Sequence, residues 1–210
     1  MIGIYGGTFD PVHYGHLRTA LEVQEALGLD QVRFVPCRQP PHRRPPRFSA
    51  AERRRFLEAV LADAPPGFVL DTRELERPGP SYMIDTLDSL RAELGDVPLV
   101  LILGLDAFLG LPGWHRWQEI PQRAHLLVMD RPGYRPDWPA PLAPEVRRRC
   151  CDDPGELRRA PGGRIHFLRV TRLEISGTFI RRCLQEGKSP RYLLPDTVLR
   201  LLESTSTELA

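Results

Sequence analysis

Two histidines lie close together near the amino terminus, in a segment that also contains glycines. His13 and His16 are three positions apart, and Gly6 and Gly7 precede them. Glycines let the backbone approach a ligand closely, and the start of a helix offers unpaired N–H groups and a positive dipole end that favour phosphate. Because residues three apart share one side of a helix, both imidazoles can donate to the same phosphate group. The segment therefore predicts an anion site.

This histidine pair has two other interpretations. For an isolated pair with this spacing, one buried ring and one solvent-facing ring is the more common arrangement. A zinc pair is the second alternative, but helical zinc pairs usually lie about four residues apart and need a third ligand, which the sequence does not reveal. The position after a predicted strand and two glycines favours phosphate, and we predict no metal site built by the protein.

A second group of polar side chains lies near the carboxyl terminus, at the start of another predicted helix. Ser176 can cap this helix, and Thr178 and Arg181 add a hydroxyl and a guanidinium on one helix face. Capping alone explains Ser176. It does not explain Arg181, because a cation in the first turn opposes the helix dipole unless an anion lies there. The group therefore indicates a second contact with an anion.

The elements that must position these groups alternate between strands and helices. Predicted strands cover 1–5, 31–35, 68–71, 99–103, 126–129 and 165–168, and predicted helices cover 14–27, 50–64, 82–94, 178–186 and 196–203. A turn is expected at Gly6-Gly7, Ser49 and Glu52 form a capping box, and Ser81 is the expected cap of the 82–94 helix. The alternation predicts an α/β fold: a Rossmann-like, doubly wound parallel sheet with helices on both faces, which binds ligands beyond the carboxyl ends of its strands.

We expect one domain over 1–210. The proline-rich and arginine-rich segment 132–164 is predicted to be a partly helical surface excursion, and 176–210 a helical carboxyl-terminal part.

Composition excludes several classes of protein. Hydrophobic residues make up 41% of the chain and charged residues 27%, close to average globular usage, so wholesale disorder is excluded. The longest purely apolar stretch, 99–103, is far shorter than the roughly 18 residues of a membrane span. The amino terminus lacks the basic start and apolar core of a signal peptide, so we expect a cytoplasmic protein with reduced cysteines. A net charge of +2 is too small to favour a nucleic-acid partner.

Two stretches together resemble the nucleotidyltransferase superfamily, which transfers a nucleoside monophosphate from a triphosphate. They are Gly7-Thr8-Phe9-Asp10-Pro11-x-His13-x-Gly15-His16 and Ile175-Ser176-x-Thr178-x-Ile180-Arg181. The resemblance implies that His13 and His16 bind the triphosphate around the reacting α-phosphate, while Ser176, Thr178 and Arg181 hold the β- and γ-phosphates. It makes His13, His16 and Arg181 the catalytic residues. The implied ATP site comprises Gly6, Gly7, Thr8, Phe9, His13, His16, Gly104, Asp106, Ser176, Thr178, Phe179 and Arg181.

Four further segments resemble the bacterial nicotinate-nucleotide adenylyltransferases within that superfamily, and with them the similarity covers nearly the whole chain. They are the proline-rich 36–43, the stretch 77–87 with Ser81-Tyr82, the stretch 104–117 with Asp106 and Trp114, and Arg131-Pro132-Gly133. The resemblance implies that backbone N–H groups at 81–83 meet the nicotinate carboxylate, that Asp106 holds the adenosine ribose and that Trp114 stacks on the pyridine. The implied nicotinate mononucleotide site comprises Thr8, Arg43, Ser81, Tyr82, Met83, Trp114 and Arg131.

Each of these features also has a structural explanation when taken alone. Ser81 can be only a helix cap, Asp106 only a turn residue and Trp114 only a core aromatic. Two positions depart from the family pattern. Met83 replaces the usual Thr, which weakens the expectation of a preference for carboxylate over amide, and Gly177 replaces Ser or Ala, which is expected to loosen the helix start.

The implied reaction is transfer of AMP from ATP to nicotinate mononucleotide, with Mg²⁺ carried mainly by the ATP phosphates and Asp10 as a conjectured metal partner. One alternative is a sibling transferase that uses nicotinamide mononucleotide or another phosphorylated acceptor. A remote alternative is a noncatalytic nucleotide- or RNA-binding module using Arg53-Arg54-Arg55 and Arg147-Arg148-Arg149, runs that are more typical of solvated helix faces. We expect small-molecule partners, no nucleic acid and no membrane; the sequence leaves a homo-oligomer open.

Overall fold

The structure is a computed structural model that describes residues 1–41, 45–130, 138–171 and 173–207. The strands are β1 (Ile2–Gly7), β2 (Gln31–Pro36), β3 (Phe68–Leu70), β4 (Leu99–Gly104), β5 (His125–Asp130) and β6 (Ile165–Arg169). The helices are α1 (Tyr14–Leu27), α2 (Ala50–Leu61), α3 (Arg73–Glu76), α4 (Met83–Leu94), α5 (Leu105–Leu109), α6 (Ile120–Arg123), α7 (Ala143–Arg149), α8 (Gly177–Gln185) and α9 (Asp196–Thr207).

The six strands form one parallel sheet in the order β3-β2-β1-β4-β5-β6. Strand β1 pairs with β2 from Ile2↔Gln31 to Gly7↔Pro36, and on its other side it pairs with β4 from Ile2↔Leu99. The chain therefore winds outward in one direction from β1 and in the other from β4. In such a sheet the crevice beyond the carboxyl ends of the two central strands is the usual ligand site.

Both faces of the sheet are covered by helices. On one face, strand residues such as Val32 and Val100 pack with buried side chains of α1, α2, α8 and α9. On the other face, Ile4, Leu101 and Val128 pack with side chains of α4, α5, α6 and α7. Continuous apolar strands of this kind are expected where both faces of a parallel sheet are buried. The predicted doubly wound α/β fold is confirmed.

Several boundaries differ from the sequence predictions, and one difference matters for the site. Gly6 and Gly7 are not a turn: they are the last two residues of β1, paired with Val35 and Pro36. The strand therefore carries its glycines to the edge of the sheet. Helix α2 ends at Leu61 instead of at 64, because the chain leaves the helix before Pro65.

The described part of the predicted surface excursion contributes to the core. Leu142, Val146 and Leu157 are each buried, the first two on the α4–α7 face and the third on the α1–α9 face. In the carboxyl-terminal part, Ile180 and Val198 anchor α8 and α9 on the same face as α1. Among the described residues, no helix is long and apolar enough to span a membrane.

Candidate active site

A cavity of about 1640 Å³ lies beyond the carboxyl ends of the central strands. It brings together side chains from both sequence motifs and from the segments around α4 and α5. The predicted site residues that line it are Gly6, Gly7, Thr8, Phe9, His13, His16, Ser81, Tyr82, Met83, Gly104, Asp106, Trp114, Ser176, Thr178 and Arg181. Arg43 and Arg131 lie outside the described residues.

The histidine pair begins α1. His13 is the N-cap residue, and His16 lies in the first turn, where its Nδ1 accepts a hydrogen bond from the His13 backbone N–H at 3.3 Å. The two rings stack with centroids 3.7 Å apart and planes 27° apart. Because Nδ1 of His16 is an acceptor, its neutral ring carries the hydrogen on Nε2. Both rings lie together on the cavity wall, which differs from the arrangement with one buried ring and one solvent-facing ring.

Both imidazoles are neutral at neutral pH in the absence of a ligand. Burial lowers the pKa of His13 to about 4. Burial also lowers the pKa of His16 well below its usual value, and the neighbouring His13 lowers it further. A polyanion bound beside the rings would stabilise a protonated imidazole and raise these pKa values, so the pair can respond to the charge of its ligand.

Arg181 faces an anion that belongs to the protein. Its Nη1 donates to the Asp10 carbonyl oxygen at 2.6 Å and lies 3.2 Å from Asp10 Oδ2, and its Nη2 donates to Thr178 Oγ1 at 3.1 Å. The carboxylate of Asp10 is buried and also accepts the backbone N–H groups of Arg47 at 3.0 Å and Phe48 at 2.9 Å. Both carboxylate oxygens are engaged by the protein, so Asp10 anchors Arg181, and its conjectured role as a metal partner stays a prediction.

Helix α8 begins near the predicted position, and Ser176 is its N-cap residue as predicted. Ser176 Oγ accepts the Phe179 N–H at 3.2 Å and caps the helix. A Cβ on Gly177 would lie 2.9 Å from the Asp10 carbonyl oxygen, so glycine permits the close approach of α8 to the Asp10 loop. The Phe179 ring is exposed beneath the Arg182 guanidinium at 5.1 Å, and it is not among the residues that line the cavity.

Contrary to the sequence prediction, Ser81 does not cap α4. Tyr82 is the N-cap residue, and its side chain makes no capping hydrogen bond. Ser81 Oγ instead accepts the backbone N–H groups of Arg38 at 2.9 Å and Gln39 at 3.4 Å. It therefore fastens the segment after β2 to the start of α4. Because no side chain caps α4, the N–H groups of its first turn beside the cavity are available to an anionic ligand.

The remaining side chains close the opposite side of the cavity. Met83 covers the end of β1, since a Cβ on Gly6 would lie 2.5 Å from Met83 Cε. Trp114 is half-buried against the core and lines the cavity, whereas Trp117 packs against the same core cluster without lining it. At the end of β4, a Cβ on Gly104 would lie 2.9 Å from Oδ1 of the exposed Asp106.

Glu74 and Arg53 are buried charged residues whose burial the sequence analysis did not predict. Glu74 lines the cavity, is 3% exposed and accepts a hydrogen bond from Thr86 Oγ1 at 2.6 Å; burial raises the pKa of its carboxyl group. Arg53 is 1% exposed, so the interpretation of Arg53-Arg54-Arg55 as a solvated face is wrong for its first residue. Its helical position, on the face that carries Phe56 and Leu57, is the signal that could have identified it.

No group of three or more histidine, cysteine, aspartate or glutamate side chains is arranged to bind a metal in the ranges that the structure describes.

Comparison with known proteins identifies the family of the chain. Residues 4–183 match the cytidylyltransferase-like family. The probable nicotinate-nucleotide adenylyltransferase of Methylococcus capsulatus is 58% identical over 206 residues, which cover 98% of each chain. The protein of the same name from Halorhodospira halophila is 55% identical over 197 residues, 94% of this chain and 90% of the relative.

A solved structure extends the likeness to the fold. The Plasmodium falciparum nicotinic acid mononucleotide adenylyltransferase complexed with NaAD has a TM-score of 0.72 at 15% identity, over 100% of this chain and 98% of that chain. At this identity the likeness supports the fold alone. The family expected from the two motifs is confirmed by the sequence matches: the chain belongs to the cytidylyltransferase-like family and, within it, to the nicotinate-nucleotide adenylyltransferases.

Proposed function

We propose that this protein transfers AMP from ATP to nicotinate mononucleotide, giving deamido-NAD and pyrophosphate, as a step of NAD biosynthesis. The observation that carries the proposal is the convergence of four separate segments on one cavity: the stacked His13 and His16, the start of α8 with Arg181, the uncapped start of α4, and Trp114. The first two suit a triphosphate, and the last two suit an aromatic carboxylate.

The chemistry requires no covalent enzyme intermediate. The 5′-phosphate of nicotinate mononucleotide attacks the α-phosphorus of ATP in line, and the bond from that phosphorus to the pyrophosphate oxygen breaks. The nucleophile is already an anion, so a general base would add little. Catalysis then rests on holding two polyanions together and on neutralising the charge that moves to the leaving group.

The triphosphate side of the cavity supplies donors for that charge. We assign His13 and His16 to the oxygens around the reacting α-phosphate, and Ser176, Thr178 and Arg181 to the β- and γ-phosphates. Arg181 is oriented by Asp10 but remains 28% exposed, so its guanidinium can still meet a ligand. Backbone at Gly6, Gly7, Thr8 and Phe9 would approach the nucleotide, and Gly104 and Asp106 would hold the ribose. For Phe179, whose ring is not part of the cavity lining, the assignment is limited to its backbone.

The nicotinate side is built from the opposite wall. We assign the nicotinate carboxylate to the backbone N–H groups at 81–83, which lead into α4, and the pyridine to the face of Trp114. The N–H groups of Ser81 and Tyr82 donate to the Gln39 oxygen at 3.0 Å and the Pro80 oxygen at 3.2 Å, so binding of the carboxylate there would exchange these two bonds for bonds to the ligand. Recognition by backbone is compatible with Met83 in place of the usual Thr, because the N–H group does not depend on the side chain. Thr8 completes the described part of this site, and Arg43 and Arg131 are proposed as further phosphate and carboxylate contacts.

Mg²⁺, when bound, supplies neutralisation of charge on the phosphate oxygens, which ATP-dependent transfers generally need. The donor set fits an ion held by phosphates and water: Asp10 is engaged by Arg181 and two backbone N–H groups, and no cluster of protein ligands occurs within the described ranges.

Pyrophosphate release with ATP and Mg²⁺ tests the proposal directly. Nicotinate mononucleotide and nicotinamide mononucleotide are compared in parallel with the unaltered protein. We expect release with both substrates present and a strong preference for the acid, as carboxylate binding at α4 requires. Comparable rates would keep the transferase and contradict the carboxylate site. Release with neither compound would refute the proposed acceptor and direct the test to other phosphorylated acceptors.

A further inference from the structure

A buried guanidinium contacts backbone segments that adjoin the proposed active site. Arg53, in α2, is 1% exposed, whereas Arg54 and Arg55 on the same helix are exposed. Among the described residues, no carboxylate lies within ion-pair distance of Arg53. Burying an unpaired charge is costly unless polar groups replace its hydration.

Four backbone carbonyls replace that hydration. Nη1 of Arg53 donates to the Thr8 oxygen at 2.8 Å and the Cys37 oxygen at 2.6 Å. Nη2 donates to the Arg38 oxygen at 3.3 Å, and Nε donates to the Phe48 oxygen at 3.1 Å. The carbonyls belong to three segments: the loop after β1, the loop after β2 and the residue before the N-cap of α2. One side chain therefore fixes three loops relative to one another.

Each of these loops continues into the proposed site. Thr8 and Cys37 line the cavity themselves. The backbone N–H of Arg38 donates to Ser81 Oγ at 2.9 Å, which leads to the start of α4. The backbone N–H of Phe48 donates to Asp10 Oδ1 at 2.9 Å, and Asp10 pairs with Arg181. Contacts from Arg53 thus reach both the triphosphate side and the nicotinate side.

We infer that Arg53 is a positioning residue that sets the distance between the two substrate sites, an inference that rests on the proposed function. In-line transfer depends on this distance, since small misplacements of reacting groups reduce the rate strongly. The planar guanidinium presents five N–H donors in a fixed fork, which suits four carbonyls. A lysine at this position keeps the positive charge, but its single ammonium nitrogen cannot reach all four carbonyls that the three guanidinium nitrogens contact.

The test uses Arg53→Lys as the decisive variant, because it retains the buried charge, and Arg53→Met as a more severe change. Arg55→Met is the matched control, an exposed arginine on the same helix. Steady-state kinetics with ATP and nicotinate mononucleotide are measured well below the melting temperature of each variant. We expect kcat to fall about tenfold or more in Arg53→Lys, with smaller changes in both KM values, and to stay within about twofold of the unaltered protein in Arg55→Met.

Amide hydrogen exchange separates positioning from a general loss of stability. The amides of Arg38, Arg47 and Phe48 donate to Ser81 and Asp10, so they report on the loops themselves. We expect these three amides to exchange about tenfold faster in Arg53→Lys, while amides within α2 and β1 keep their protection. A merely structural role would instead accelerate exchange across the whole α2 region.

The outcomes decide between the possibilities. Loss of kcat together with local exchange supports the inference. Unchanged kcat, uniform acceleration of exchange, or loss of kcat without faster exchange at the three amides overturns it. If Arg53→Met does not fold, Arg53→Lys decides alone. If the unaltered protein shows no turnover, the proposed function fails, and the exchange pattern alone decides whether Arg53 fixes the loops.

Discussion

The imidazole rings of His13 and His16 stack with centroids 3.7 Å apart at the start of α1. Two protonated rings at this distance would repel each other strongly, and burial further disfavours the charged forms. The unliganded pair is therefore neutral, with its positive potential supplied by the helix end. A triphosphate bound as proposed would change this balance by offering negative charge to the Nε2 hydrogen of His16.

Replacement of His16 by alanine is expected to lower kcat about a hundredfold or more, because it removes a donor from the oxygens that gain charge in the transition state. Folding stability should fall only modestly. The matched control is His125→Gln, which alters a buried histidine outside the cavity and should reduce stability while leaving kcat close to that of the unaltered protein. Activity of His16→Ala near the unaltered level would remove the proposed role.

Stability should depend on pH through the same pair. The pKa of His13 in the folded protein is about 4, below the value of about 6.5 expected in the unfolded chain, and that of His16 is also lowered. The unfolded chain binds more protons between these pH values. The contribution of the pair to the free energy of unfolding is therefore fully present above about pH 6.5 and is lost as pH falls toward 4. The pKa of His125 is lowered as well, so it contributes in the same direction.

Melting temperatures measured from about pH 7 to pH 5 test this dependence, because carboxylates with lowered pKa values titrate mainly below that window. We expect a fall in melting temperature for the unaltered protein and a smaller fall for His16→Asn, whose side-chain oxygen can still accept the His13 N–H. Equal falls in the two proteins would show that the pair does not titrate in this way.

Elements with local signals are predicted well from the sequence. Helix α1 is predicted at both ends, because Leu17, Leu21 and Val23 recur at near-helical spacing within 14–27. In the structure Gly28 follows the helix in the left-handed conformation, with a φ of 58°. The capping box of Ser49 and Glu52 is also confirmed, because both partners lie within four residues.

Predictions fail where distant groups compete for a side chain. Ser81 has the residue type of a helix cap, but the backbone of Arg38 and Gln39 takes its hydroxyl, and no local pattern reveals partners so far away in sequence. Arg53 and Arg54 are identical in type, and only the helical phase separates the buried residue from the exposed one. The roles assigned to Arg43 and Arg131 remain predictions.

Asp10→Asn should disrupt the anchor of Arg181. An amide offers one acceptor oxygen, so its NH₂ group would face a backbone N–H or the guanidinium, and a buried donor would lose its partner. We expect a loss of about 2–4 kcal/mol in the free energy of unfolding and a fall in kcat of about tenfold or more. Urea unfolding and pyrophosphate release measure the two effects. Asp63→Asn, at an exposed carboxylate, is the control and should change neither quantity.

Trp114→Ala should mainly weaken binding of nicotinate mononucleotide. Stacking on the pyridine would stabilise the bound substrate and the transition state alike, so its loss raises KM without a comparable change in kcat. We expect KM for nicotinate mononucleotide to rise about tenfold, as loss of roughly 1–2 kcal/mol of stacking predicts, while KM for ATP changes little. Trp114→Phe, which keeps an aromatic face, should remain within about threefold of the unaltered protein. Trp117→Ala is the control for packing: this side chain contacts the same core cluster but does not line the cavity, so stability should fall and KM should not change. A selective fall in kcat for Trp114→Ala, or an equal rise in KM for Trp117→Ala, would show that Trp114 acts through the core and not through contact with the pyridine.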